Sequence, residues 1–242
     1  MSKTPFEEFF DGIDWIYTWA GGGIVHHEQT DDPTRFFGEN IPLFTRGLLP
    51  KRKDIVLDLG AGSGGDIPLF SKMVGRQGKV IAIEADPSCF RRLTKLITLL
   101  NLKNVSCYNF GVSDVNSKMW LTQERSDGLG NALKTTALEN SIEVPVRDLG
   151  EVLSNQGLTT AAYAKLNIEG SEILALKALF RSSVEIEHLC VACHDFLTEN
   201  EMHTFKNVVE LLLDNGYKVS KHPINEAAPW ESWYVYADKP KI

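Results

Sequence analysis

Short apolar runs alternate with amphipathic segments through most of the chain. Ile55-Val-Leu-Asp-Leu59 reads as a buried strand, and Asp66–Val74 as a helix reached through a glycine-rich turn. Lys79–Ile83 is a second strand, Pro87–Leu100 a helix and Asn104–Asn109 a third strand. The alternation returns with a helix over Leu149–Asn155, a strand over Ala162–Ile168, a helix over Glu172–Phe180 and a strand over Glu187–Cys193. A helix over Asn200–Asn215 and two strands, Tyr217–Lys221 and Trp233–Ala237, complete the pattern as a terminal hairpin. Strand and helix alternating at this spacing imply βαβ units. The expected class is therefore α/β, a Rossmann-like parallel sheet with helices on both faces.

Two regions depart from that rhythm. Phe6, Phe9, Phe10, Ile13 and Tyr17 follow helical spacing, with Glu7, Glu8, Asp11 and Asp14 opposite, so Pro5–Ala20 predicts an amphipathic helix. Its polar face is acidic rather than basic, which argues against a membrane surface. Packing on the domain or on a second subunit is expected instead. Gly21-Gly22-Gly23 breaks it, a polar stretch with His26 and His27 follows, and a second helix is expected over Phe37–Leu49, stopped by Pro50. Residues 1–50 thus read as a helical cap on a domain spanning 51–242. The second departure, Ser117–Val146, has strand-like ends around Asp127-Gly-Leu-Gly-Asn131 and predicts an inserted hairpin or lid.

Composition adds exclusions. An apolar content of 43% supports a substantial core, and a formal charge of −7 without a basic cluster argues against a nucleic-acid partner. No apolar run approaches the roughly 20 residues of a membrane span, and no signal peptide is evident, so a cytoplasmic chain is expected. Cys190 and Cys193 have zinc-ligand spacing, but residues three apart in a strand face opposite ways. Buried reduced thiols are the expectation there.

The chemistry gathers at strand ends. Asp58-Leu-Gly60-Ala-Gly62-Ser-Gly64-Gly65 forms a turn on which a ligand can approach the backbone, and Glu84 closes the next strand, where a carboxylate can accept two ribose hydroxyls. The glycine spacing also satisfies a dinucleotide fingerprint, which leaves a nicotinamide oxidoreductase open. An unpaired Asp58 would repel a pyrophosphate and attract the sulfonium and ammonium of S-adenosylmethionine, which favours the latter. Ser113 and Asp114, after the third strand, can pair with the adenine amino group. Asn167 and Glu169 share a face at the end of the Ala162–Ile168 strand, and His194 ends the next strand. An imidazole there is a candidate base for a hydroxyl proton.

Taken with Val144-Pro-Val-Arg-Asp-Leu149 and Lys165-Leu-Asn-Ile-Glu-Gly170, these motifs resemble those of the FkbM-type methyltransferases over about Asp54–His194. The resemblance implies a seven-stranded S-adenosylmethionine-binding fold and O-methylation of a small-molecule acceptor such as a natural product, sugar or lipid-like compound. Asp58, Gly60, Gly62 and Gly64 would then hold the methionine part, Glu84 the ribose, and Ser113 with Asp114 the adenine. Asn167, Glu169 and His194 would face the acceptor. Two positions depart from the family, Asn167 where it usually has Asp and Gly62 where it commonly has Asn. The first removes a charge that could act as a base or hold a metal, so no metal is expected, and an inactive cofactor-binding protein stays an alternative.

Overall fold

The computed structural model describes residues 5–38, 40–125, 130–197 and 203–240. Its elements in chain order are β1 (Glu7–Phe10), β2 (Trp15–Trp19), β3 (Gly22–His26), α1 (Ile41–Thr45), β4 (Ile55–Leu59), α2 (Ile67–Val74) and β5 (Lys79–Glu84). Next come α3 (Pro87–Leu99), β6 (Val105–Asn109), β7 (Gly111–Ser113), β8 (Ser117–Thr122), β9 (Leu133–Lys134), β10 (Ser141–Asp148) and α4 (Leu149–Asn155). The chain ends in β11 (Thr160–Leu166), α5 (Glu172–Arg181), β12 (Glu185–Ala192), α6 (Phe205–Asp214), β13 (Lys218–Lys221) and β14 (Tyr234–Asp238).

Seven strands form the main sheet in the order β13-β14-β12-β11-β4-β5-β6. β12, β11, β4, β5 and β6 run parallel, and β14 is antiparallel to both neighbours, as the expected terminal hairpin requires. Strands buried on two faces read as continuous apolar runs, because neighbouring residues serve different layers. Leu57, Leu59, Ile81 and Ile83 pack with Leu149 and Leu153 of α4, Leu176 of α5 and Leu212 of α6. Val56, Val80 and Ala82 pack on the other face with Phe44 of α1, Phe70 of α2 and Leu93 of α3. Cys190 and Cys193 are buried thiols outside any disulfide, as expected.

The N-terminal expectation is corrected. Residues 7–26 form a three-stranded antiparallel sheet, β1-β2-β3, in place of an amphipathic helix. Asp11 Oδ1 accepts hydrogen bonds from the N–H groups of Ile13 (3.1 Å) and Asp14 (2.9 Å), and Gly12 takes φ +94°. That side-chain turn reverses the chain after Phe10, so Phe10 pairs with Trp15 across the strands, ring centroids 5.1 Å apart. Alternating β-formers then outweigh the helical spacing. The subunit contact expected through a helix here loses its helix. Instead, Asp14, fully buried, meets Arg91 (2.9 Å) and Lys95 (2.7 Å) of α3 and ties the small sheet to the domain. Burial works against its carboxylate, but Arg91 and Lys95 outweigh it and hold the pKa below the usual range.

The helix expected over 37–49 is reduced to the five residues of α1, preceded by a 3-10 turn at Pro33–Phe36. The inserted segment is a four-stranded sheet ordered β7-β10-β8-β9, with β8, β9 and β10 antiparallel neighbours. Residues 126–129 and 198–202, which include much of the glycine-rich loop and Asn200, lie outside the described residues.

Candidate active site

The carboxyl ends of β4, β5 and β11 open on one side of the sheet, where ligands collect in open α/β folds. A cavity of about 660 Å³, counted out to its mouth, lies there. Its lining includes Gly60, Gly62, Glu84, Asn167 and Glu169, five of the residues singled out in the sequence.

Gly60 follows β4 at φ +79°, and a Cβ placed on it would stand 1.9 Å from the carbonyl oxygen of Asn167. The turn and the end of β11 therefore touch through backbone alone, and only glycine fits. Gly62, at φ +56°, has open space where a Cβ would be, and its N–H donates to Glu84 Oε2 at 2.7 Å. Glu84 Oε1 accepts the N–H of Asp86 at 2.8 Å. Burial raises the Glu84 pKa to about 7 even though these two N–H groups favour the charged form. Each carboxylate oxygen keeps a further lone pair for a ligand.

Asp58 stands elsewhere. It is 1% exposed and does not line the cavity; Lys165 Nζ donates to its Oδ1 at 2.8 Å and to the Gly60 carbonyl at 2.9 Å. The expectation of an unpaired carboxylate is corrected: Lys165, which follows β4 in register on β11, neutralises it. Burial acts to lower the Lys165 pKa, but Asp58, helped by Asp66 and Glu84, overcomes it and raises the value. Asp58 accordingly braces the turn and does not discriminate between cofactors. The charge argument passes to the wall itself, which carries Glu84, Asp86 and Glu169 and no Lys or Arg among its described residues.

Gly64 also lies off the cavity, against Leu93 and Leu96 of α3. Ser113 is buried in β7, opposite Asp148 of β10. Asp114 turns outward to Arg181, 3.7 Å away. Gly111 and Val112, not Ser113 and Asp114, line the pocket. The adenine contact expected from that polar pair is thus not supported by its position.

His194 sits behind the wall. Its Nε2 is 3.1 Å from Glu169 Oε2, and its Nδ1 is 3.4 Å from Glu172 Oε1, an ion-pair distance short of hydrogen-bond alignment. Burial opposes its charge, but Glu169 and Glu172 outweigh burial and push the pKa up to about 10. A histidine held protonated at neutral pH is no general base there, so that expectation is corrected. Glu169, with φ +50°, is the group that reaches the cavity.

Several lining residues escaped the sequence reading. Asp86 Oδ1 caps α3 by accepting the N–H groups of Ser88 (2.7 Å) and Cys89 (3.3 Å). Its Oδ2 accepts from Gln123 (3.0 Å) and Asn131 (3.1 Å) of the inserted sheet. The Asp-Pro-Ser sequence is a readable helix-start signal that marks this position. Leu121, Asn131 and Leu133 reach the cavity only because the inserted sheet folds over it, which no local signal announces.

A sequence model of the Methyltransferase FkbM domain matches residues 58–219. The chain belongs to the FkbM methyltransferase family. Its matched domain is of the S-adenosylmethionine-dependent kind, and S-adenosylmethionine is the cofactor of that domain. The chain is 35% identical over 57 residues to a protein-L-isoaspartate O-methyltransferase of Thermosipho melanesiensis, covering 24% of this chain and 29% of that one. The curated relatives it matches are spanned over less than a third of their own length. The solved FkbM methyltransferase of Methylobacillus flagellatus KT superposes with TM-score 0.53 at 15% identity, over 81% of this chain and 47% of that one. The fibrillarin of Aeropyrum pernix, solved with natively bound S-adenosyl-L-methionine, gives TM-score 0.50 at 10% identity over 97% and 98%. At these identities the likeness concerns the fold.

The FkbM cavity fits that cofactor on its own features. Gly60 and Gly62 leave backbone open to a ligand, Glu84 offers lone pairs for ribose hydroxyls, and the acidic wall suits a cation. A dinucleotide would bring a pyrophosphate to the same acidic wall, which opposes it.

Proposed function

We propose that this FkbM-family chain methylates a hydroxyl oxygen of a small-molecule acceptor, such as a natural product, sugar or lipid-like compound. The observation that carries the reading is the Glu169 carboxylate in the same cavity as Gly60, Gly62 and Glu84. When bound, S-adenosylmethionine supplies an electrophilic methyl group on a sulfonium.

Glu84 and the glycine turn would hold the cofactor's sugar and amino-acid parts, and the amide of Asn167 would bond the acceptor without adding charge. Glu169 would accept the acceptor's hydroxyl hydrogen and orient the oxygen. Methylation of a neutral hydroxyl gives a strongly acidic protonated ether, so a carboxylate is a sufficient proton acceptor and no stronger base is needed. The inserted sheet would exclude water through Leu121 and Leu133. The net charge of −7 favours a small acceptor over a polyanion.

The test uses an isotopically methyl-labelled donor and small-molecule extracts, analysed by mass spectrometry. A labelled ether product that disappears with Glu169→Gln, while S-adenosylhomocysteine affinity is kept, supports the reading. Label on nitrogen, or only in protein or RNA, sinks it.

A further inference from the structure

Glu172 opens α5 and is fully buried, although an acid serving only a helix N-terminus works equally well in solvent. Its Oε1 accepts the Gly170 N–H at 3.1 Å and faces His194 Nδ1 at 3.4 Å. Its Oε2 accepts the Thr204 hydroxyl at 3.1 Å. Thr204 is in turn fixed by its own N–H, which donates to Asp195 Oδ2 at 3.0 Å. The carboxylate is therefore held from three directions, with one oxygen presented to the histidine.

We propose that Glu172 is a positioning residue for methyl transfer, keeping His194 as the buried cation that aims the Glu169 carboxylate into the cavity. The inference rests on Glu169 as the acceptor-facing group. Both ring nitrogens of His194 face carboxylate oxygens, Glu169 at 3.1 Å and Glu172 at 3.4 Å. A neutral imidazole has one N–H, so it would set a lone pair against one of these acids; the imidazolium turns an N–H toward each and pairs with both charges. Glu169 needs such restraint, because its left-handed backbone at φ +50° is costly for a residue with a Cβ. Other titratable neighbours leave the arrangement unchanged. Asp195 Oδ2 accepts the N–H groups of Thr204 and Phe205, and burial keeps the Cys193 thiol protonated.

The experiment pairs ring protonation with kinetics. In protein labelled with ¹⁵N-histidine, with the His194 signal assigned through His194→Gln, the wild-type ring should stay doubly protonated at pH 8.5. Glu172→Gln keeps the shape but not the charge, and the ring should lose its proton at least one pH unit lower. With the hydroxyl acceptor found by labelling, kcat should fall at least tenfold, while acceptor KM and S-adenosylhomocysteine affinity stay within twofold. Glu172→Asp should restore part of kcat. Should Glu172→Gln not fold, Thr204→Val loosens the same carboxylate, and an unchanged kcat there overturns the proposal. So does a neutral His194 in the wild type, or an unchanged ring and kcat in Glu172→Gln. The ring measurement needs no acceptor: a charged His194 together with label on an acceptor nitrogen would overturn the hydroxyl reading alone.

Discussion

If Glu84 holds the cofactor's ribose, its buried carboxyl should couple cofactor binding to pH. Burial holds its pKa near 7, against an ordinary 4.5, so about half of the ligand-free protein is protonated there at neutral pH. Ribose hydroxyls donating to Glu84 would favour the carboxylate, so binding should expel the proton and affinity should rise with pH. If binding returns the pKa to its ordinary value, linkage gives a roughly 30-fold gain in affinity between pH 5.5 and pH 8, about 2 kcal/mol. About half a proton should be released per ligand at pH 7. Isothermal titration calorimetry with S-adenosylhomocysteine, in two buffers of different ionisation enthalpy, reads both quantities. Glu84→Gln should bind more weakly at pH 8 and lose this pH dependence, which also controls for titration of the ligand. A flat wild-type profile, or proton uptake on binding, would refute the reasoning. The sign for folding is opposite: a raised carboxylate pKa gives stability that is full below pH 4.5 and lost as pH rises through about 7.

Three further outcomes are expected. Lys165→Met strands the buried Asp58 carboxylate and should cost roughly 3–5 kcal/mol, a fall in Tm of about 6–10 °C for a chain of this length. The double variant with Asp58→Leu should recover most of it, and a single-variant loss under about 1 kcal/mol in urea denaturation would contradict the pair's role. Gly60→Ala should reduce S-adenosylhomocysteine affinity more than tenfold, because its Cβ meets the Asn167 carbonyl, whereas Gly62→Ala has room and should cost only about 1–2 kcal/mol of backbone strain; equal effects in thermal-shift and binding assays would undo the distinction. EDTA should leave methyl transfer intact, since Asn167 brings a neutral amide to the cavity and Glu169 is paired with His194; activity abolished by EDTA and restored by Mg²⁺ would count against it.

Much of this architecture was legible because its signals are local. Ile55–Leu59, Lys79–Ile83 and Ala162–Ile168 are apolar runs bounded by turn residues, and each lies within a residue or two of a strand. Gly60, Gly62, Glu84, Asn167 and Glu169 converge because the ends of parallel strands share one edge. The failures are non-local or depend on turn chemistry. The Asp11-Gly12 turn converts a helical spacing of aromatics into a hairpin, and spacing alone cannot register it. The pairing of Asp58 with Lys165 joins residues 107 apart, so the carboxylate looked free from the sequence. The protonation of His194 depends on Glu169 and Glu172 closing on it from another strand end. Wall residues Leu121 and Leu133 require the inserted sheet to form first.

The placement of β14 between β12 and β13 has a consequence for synthesis on the ribosome. All the described residues that line the cavity precede Ser171 or coincide with it, yet β12 keeps one unpaired edge until Tyr234–Asp238 has left the exit tunnel. During translation of the intervening residues that edge, with Leu189 and Val191 beside it, offers free backbone donors and acceptors to any neighbouring strand. The nascent chain thus passes through a stage in which the catalytic pocket is encoded and extruded while the sheet that carries it is still sticky on one side.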